Sequence, residues 1–239
     1  MVLRLPPLAR LLLGSALATA LLGGCGGSSS SPSSSGNGLA SKSPDQIVAA
    51  AKAAAAGAAT VHISGSIINE NKPISLDMEL VAGKGAKGHI ALEGLGIDVV
   101  AVEHAFYLDG SAAFYRHVAG AAAAQLLQGK WLKAPASGGS FASLAQLTDL
   151  TKLVDSTLAS HGALKSAGTT TVGGQQAVGV TDTTKGGTLY VAATGTPYPL
   201  EISKGGTSAG RIVFNRWNQP VTLTPPPNPI NINQLQSGH

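Results

Sequence analysis

Between Thr60 and Gly110 apolar and polar residues alternate with a period of two. Val61, Ile63 and Ile67 share one face of VHISGSI, and Ile74, Leu76, Met78 and Leu80 share one face of PISLDMELVA. Ser75, Asp77 and Glu79 take the other face, and Ile90 and Leu92 lie opposite His89, Ala91 and Glu93. GIDVVAVE and AFYLDG extend the pattern, with short turn signals at NENKP, AGKGAKG and GLG. Such alternation predicts an antiparallel meander with one dry face.

Helical periods flank and interrupt this meander. SPDQIVAAAKAAAAGAAT (Ser43–Thr60) opens with an N-cap serine and a proline at the first helical position. Gly57 ends it, and Ile47, Val48, Ala51, Ala54 and Ala55 form a stripe of small residues that can lie close to a sheet. Ser111–Gly129 and Ser140–Gly162 also read as helical, separated by the strand-like KWLKAP. In the second of these, Phe141, Leu144 and Leu147 recur every third position, followed by Leu150, Leu153 and Leu158. From Ala163 the alternation returns, until PPPNPI, which cannot continue a central strand. The last dozen residues are expected to trail along the surface. The order helix, strands, helices, strands predicts an α+β layer fold with helices on one side of an antiparallel sheet. No internal repeat is evident.

The first 24 residues follow a different logic. Arg4 and Arg10 precede an apolar core over residues 11–22, and small residues lead into Cys25, the only cysteine of the 239-residue chain. This is the three-part pattern of a signal peptide, and its core is shorter than the roughly 20 apolar residues of a membrane span. Leu22-Gly23-Gly24-Cys25 resembles a bacterial lipobox. That resemblance implies that the Cys25 sulfur carries a diacylglycerol and that cleavage leaves Cys25 first. Two acyl chains anchor a protein stably where one does not. Residues 26–38 carry no charge and are rich in Ser and Gly, so they form a flexible tether with a reach of about 20 Å. The domain plan is therefore a signal peptide over 1–24, the acylated cysteine and tether over 25–42, and one domain over 43–239 with an irregular tail.

Charge narrows the function classes. The formal net charge is +4, and Arg4 and Arg10 leave with the signal peptide. No Lys/Arg cluster remains of the kind that tracks phosphates, which argues against nucleic acid. Only 12% of residues are charged and 4% are aromatic. A lone cysteine has no intramolecular disulfide partner.

Candidate chemistry is sparse. Gly83–Gly88 spells G-x-G-x-x-G, but a strand pattern follows it where a dinucleotide site needs a helix. Gly206–Gly210 spells G-x-S-x-G around Ser208 between two strand patterns, where a nucleophile elbow needs a helix after the turn. Both read as hairpin turns. His62, His89, His104, His117, His161 and His239 show no metal-ligand spacing. Asp77 and Glu79 on one strand face, and Glu103-His104 at a strand junction, read as solvated charges. No catalytic residue, metal site or cofactor is predicted, and the chain is read as a non-enzyme.

Several segments in order resemble the LppX/LprAFG family of actinobacterial lipoproteins. They are the lipobox cysteine with its tether, the Ala-rich helix running into AATVHISGSI, and GKWLKAP before a Leu-rich stretch. GTTTVGGQQAVGVTDTT, GGTLYVAATGTPYPLEI and FNRWNQPVTLTPP complete the series. The resemblance implies a fold similar to the carriers LolA and LolB: a curved antiparallel half-barrel sheet whose concave face is covered by helices around an apolar cavity. It further implies carriage or presentation of lipids in the cell envelope. A cavity of this kind suits acyl chains, because apolar burial needs no directional partner. Leu76, Met78, Leu80, Ile90, Leu92, Val99 and Leu189 are the expected lining. The expectation is an exported monomer, lipid-anchored on the outer face of the cell membrane, with a lipid or lipidated ligand and an envelope transport partner. The alternative is an anchored interaction protein, chaperone or sensor with a filled core.

One outcome follows from the anchor alone. Cys25→Ala should abolish acylation, read by mass spectrometry of the membrane fraction; a lipid-modified N-terminus in that variant would contradict the assignment.

Overall fold

The computed structural model describes residues 36–69, 71–135, 148–159 and 161–232. Cys25, the tether up to residue 35, Phe141, Leu144, Leu147 and His239 lie outside the described residues.

Helix α1 (Pro44–Ala56) forms where the sequence predicts it. The Ser43 hydroxyl accepts from the Gln46 amide at 3.3 Å, and the Gln46 side chain accepts from the Ser43 amide at 3.1 Å. This reciprocal box satisfies two of the donors that a helix start leaves unpaired. Ile47, Val48, Ala51 and Ala55 are its buried face.

Six strands follow: β1 (Thr60–Asn69), β2 (Lys72–Val81), β3 (Gly85–Leu92), β4 (Leu95–Val102), β5 (Ala105–Gly110) and, after helix α2 (Ala112–Leu127), β6 (Leu132–Pro135). Two-residue turns close β3 to β4 and β4 to β5. Glu93 and Gly94, then Glu103 and His104, all have positive φ, as the tightest hairpin loops require. Glu103-His104 is thus turn chemistry. After helix α3 (Leu150–Ala159) come β7 (Leu164–Val172), β8 (Gln175–Asp182), β9 (Thr188–Ala192), β10 (Pro199–Lys204), β11 (Gly210–Asn215) and the short β12 (Ile230–Asn231).

All twelve strands form one open sheet in the order β12-β6-β5-β4-β3-β2-β1-β11-β10-β9-β8-β7. Each half is a meander, and antiparallel pairing of β1 with β11 (Ile63 opposite Phe214) joins them. An open sheet this wide curls. Its inner face carries the expected dry row: Leu132, Leu108, Val99, Gly88, Met78, Ile63 and Phe214 follow one another across the register.

Two glycines let this face bend. Gly65 has φ +149° and Gly88 has φ +155°. A Cβ at Gly88 would stand 2.1 Å from the Asp77 carbonyl oxygen and 2.7 Å from the Met78 Cα, and one at Gly65 would stand 2.0 Å from the Arg211 carbonyl oxygen. Glycine at such points permits close backbone approach and sheet curvature.

Helices cover the inner face in two places: α1 packs on β7, β8 and β10, and α2 packs on β4 and β5. Helix α3 rests on α1, and Lys52 and Asp155 pair across them at 3.1 Å. The main core unites α1, α2, α3 and the inner sheet face.

Three expectations need correction. Within the tail, Ile230 and Asn231 form β12, which runs parallel to β6 and lengthens the sheet edge, because the Ile230 amide reaches the Trp131 carbonyl at 2.8 Å just beyond the proline run. The outer face is not wholly polar: Val100, Ala105 and Tyr107 form a second apolar cluster with Val102 and Trp131. Helix α2 breaks at Gly120, whose φ of 87° and ψ of 174° lie outside helical space. The two glycine motifs do lie in hairpins, with Gly85 and Gly88 inside β3 and Gly206–Ser208 in a 3-10 turn between β10 and β11.

Gly88→Ala should cost more than about 2 kcal/mol, since the added methyl meets backbone and the φ is strained for any other residue. Urea unfolding checks this; a loss below about 0.5 kcal/mol would contradict the close approach.

Candidate functional site: an apolar hollow beneath helix α3

On the inner face of β1, β2 and β3 the two layers do not meet completely. A cavity of about 100 Å³ remains, lined by Ile63, Ile74, Leu76, Met78, Leu80, Ile90, Leu92 and Leu153. Seven of these come from the sheet by the period-two rule, and Leu153 comes down from α3. The lining is aliphatic apart from one thioether, so the cavity offers contact and no directional partner.

Five residues predicted to line a cavity do so together: Leu76, Met78, Leu80, Ile90 and Leu92. Val99 and Leu189 lie outside this hollow. Val99 is buried one strand further on, on β4, which α2 covers. Leu189 lies on β9, across β1, β11 and β10, and borders a second hollow. Ile63 and Ile74 share the predicted face, so their alternation already contained the signal. Leu153 sits in the Leu-rich helical stretch, but no pattern shows which sheet residues a helix will meet.

The second hollow measures about 140 Å³. Val48 of α1, Leu158 of α3, and Leu164, Val180, Leu189 and Ile202 of the sheet make its apolar part. His161, Asp182 and Lys185 border it. Asp182 is held in place by the chain around it. Its carboxylate accepts from the amides of Lys185 (2.8 Å), Gly162 (2.9 Å) and Thr184 (2.8 Å). These donors, the Lys185 amide foremost, hold its pKa below the usual carboxylate range.

The two hollows share one row of the sheet. Ile90, Leu76, Gly65, Ile212, Ile202, Leu189 and Val180 are successive register partners. The stretch between the hollows is floored by Gly65 and Ile212, and Gly65 has no side chain to raise it. Helix α3 contributes Leu153 to one hollow and Leu158 to the other.

The size differs from the expectation of a lipid cavity. Pockets that enclose drug-sized ligands hold about 300–1,000 Å³, and a dry cavity of about 150 Å³ accommodates benzene. The hollow beneath α3 is smaller than either.

No sequence-family model and no curated protein matches the chain. Solved structures do. LprF from Mycobacterium bovis superposes with a TM-score of 0.54 at 15% identity, covering 77% of this chain and 96% of that one. The Mycobacterium tuberculosis lipoprotein LppX gives 0.51 at 17% identity, covering 76% and 100%. This chain has the LppX/LprF fold. The match reaches nearly the full length of both of those proteins and about three quarters of this chain. At this identity it fixes the LppX/LprF architecture and assigns no contact residue.

No helix among the described residues is long and apolar enough to cross a membrane. Among the described residues no group of three or more His, Cys, Asp or Glu side chains could hold a metal ion. Ser208 lies exposed in its 3-10 turn.

The Asp182 geometry gives a pH prediction. A carboxylate whose pKa is lowered in the folded state adds stability above its unfolded value of about 3.9, and that stability is lost as pH falls through the folded value. The melting-temperature difference between wild type and Asp182→Asn should therefore be full at pH 6 and shrink towards pH 3. A difference that stays constant across that range would contradict the role given to these amide donors.

Proposed function

We propose that the chain is an exported, lipid-anchored envelope protein that holds the hydrocarbon part of a lipid or lipidated molecule against the inner face of its sheet, without covalent chemistry. The observation that carries this reading is the aliphatic hollow beneath α3, in a chain with the fold of LprF and the lipoprotein LppX. The lipobox-like sequence ending at Cys25 supports the anchor, and the uncharged segment after it supports a domain that stands off the bilayer.

The ligand in this reading is extended. Its chain follows the row from Ile90 to Val180, passing over Gly65, with α3 as roof. Admission of more than a few methylene groups requires α3 to lift, and the helix is suited to that. Its packing is chiefly on α1, and the ion pair joining them, Lys52–Asp155, is about half exposed on both sides, where such a pair contributes little. Burying each methylene of a ligand contributes about 0.8 kcal/mol, which offsets the contacts Leu153 gives up.

The small volume of the hollow favours a second reading, an anchored interaction protein with a filled interior. One experiment separates them. The purified chain is extracted with organic solvent and analysed by mass spectrometry, and a fluorescent C16 fatty acid is titrated into the delipidated protein. Carriage predicts a reproducible co-purified acyl compound and saturable probe binding. Leu153→Trp, which fills the hollow from the helix side, should weaken the probe by about tenfold or more, roughly 1.4 kcal/mol, while leaving the melting transition cooperative. No extractable acyl compound and no saturable probe binding would establish the filled-interior reading.

A further inference from the structure

The opposite face of the sheet carries a larger depression than the inner one. On the outer face of β2, β3 and β4 a shallow groove of about 390 Å³ is bordered by Trp131 and Arg216 and crossed by Asp77, Glu79, Lys87, His89 and Asp98. Its volume falls within the usual range for small-ligand sites. It is separated from the inner hollow by the sheet itself, and it does not depend on the function proposed above.

Every carboxylate in this groove has a partner. Glu79 uses one carboxylate oxygen for Arg216 (3.2 Å) and the other for Lys87 (3.3 Å). Asp98 meets His89 at 2.8 Å and Asp77 meets His62 at 2.8 Å. A strongly ionic ligand would have to displace one of these partners or face a like charge beside it. The groups nonetheless keep hydrogen-bonding capacity. A carboxylate has about four acceptor sites, an ammonium three donors and a guanidinium five, more than these contacts consume. The groove thus presents donors and acceptors in quantity.

Trp131 supplies the complementary feature. It is half-buried and packed against the Val100, Ala105 and Tyr107 cluster, which fixes the indole as one wall. The side-chain pattern of an apolar plane beside dense, mutually paired polar groups fits a ligand with both a C–H face and many hydroxyls. We infer that the outer groove binds a neutral oligosaccharide, with a sugar ring against Trp131 and its hydroxyls on the Asp98–His89 and Glu79–Lys87–Arg216 groups.

The test uses the full chain in detergent solution. Trp131 and Trp217 are the only two tryptophans, and Trp217 stacks on Tyr198 at 4.5 Å and lies outside the groove lining. In a Trp217→Phe background fluorescence therefore reports Trp131 alone. Maltotriose, mannotriose and triacetylchitotriose are titrated to about 20 mM, well above a dissociation constant of about 1 mM, with trigalacturonate as the anionic comparison. At least one neutral trisaccharide should shift the Trp131 emission saturably and bind about tenfold or more tighter than trigalacturonate. Saturation-transfer NMR should show Trp131→Ala weakening it by about tenfold or more and Asp98→Ala by about threefold or more. Asp98 is a largely exposed side chain, so that variant keeps the test decisive should Trp131→Ala fail to fold. Absence of saturation with all three neutral sugars, equal or tighter binding of trigalacturonate, or binding indifferent to Asp98→Ala would overturn the inference.

Discussion

The pairing of β1 with β11 is the constraint on which the molecule rests. Each half of the chain can form its own meander from local hairpins, but neither half alone makes a continuous wall. Six register partners, from His62 opposite Asn215 to Ile67 opposite Gly210, join segments roughly 150 residues apart. Their closure sets Ile63 beside Phe214 and Gly65 beside Ile212, so two apolar rows become one. The residues after β11 reinforce this seam. The Asn218 amide donates to the Thr60 carbonyl at 3.0 Å, its side-chain oxygen accepts from the Ala59 amide at 2.7 Å, and the Trp217 indole donates to the Pro199 carbonyl at 3.1 Å. A contact of such sequence separation is slow to form, because loop closure must precede its reward. Once formed, it defines which side chains face the helices.

That seam explains what was legible in the sequence and what was not. Period-two alternation identified the inner face of β1–β3 residue by residue, and the Ser43-Pro44 start and Gly57 stop bounded α1 correctly. Leu76, Met78, Leu80, Ile90 and Leu92 came together because they belong to one meander, where register follows from short turns. Leu189 belongs to the other meander, and its distance from Leu76 is set by the β1–β11 junction, which no local pattern encodes. Val99 lies outside the hollow for a different reason. Its face was right, but α2 packs over β4 and fills the space above it. Parallel pairing of β12 with β6 was hidden because Pro225, Pro226 and Pro227 read as a strand breaker, and only the two residues after Pro229 pair.

The two faces of the sheet divide the chemistry. The inner face pairs aliphatic side chains with small-residue helices; α3 covers the first hollow, and α3 with Val48 of α1 covers the second. The outer face mixes an aromatic cluster with ion pairs, and Asp77 and Glu79 there are partnered charges on a largely solvated surface. Gly88 serves both faces: it allows the bend that curls the inner wall, and its backbone borders the outer groove. A fold with this division can hold an apolar ligand on one side and still offer a polar surface on the other.

Lipid carriage as proposed requires α3 to be a movable roof over the apolar row. Hydrogen–deuterium exchange tests it most directly, since it reads opening helix by helix. In the ligand-free chain, amides of residues 150–159 should exchange faster than those of α1, and saturating palmitate should slow them while leaving β7 unchanged. Exchange in α3 as slow as in the central strands, and indifferent to palmitate, would contradict it.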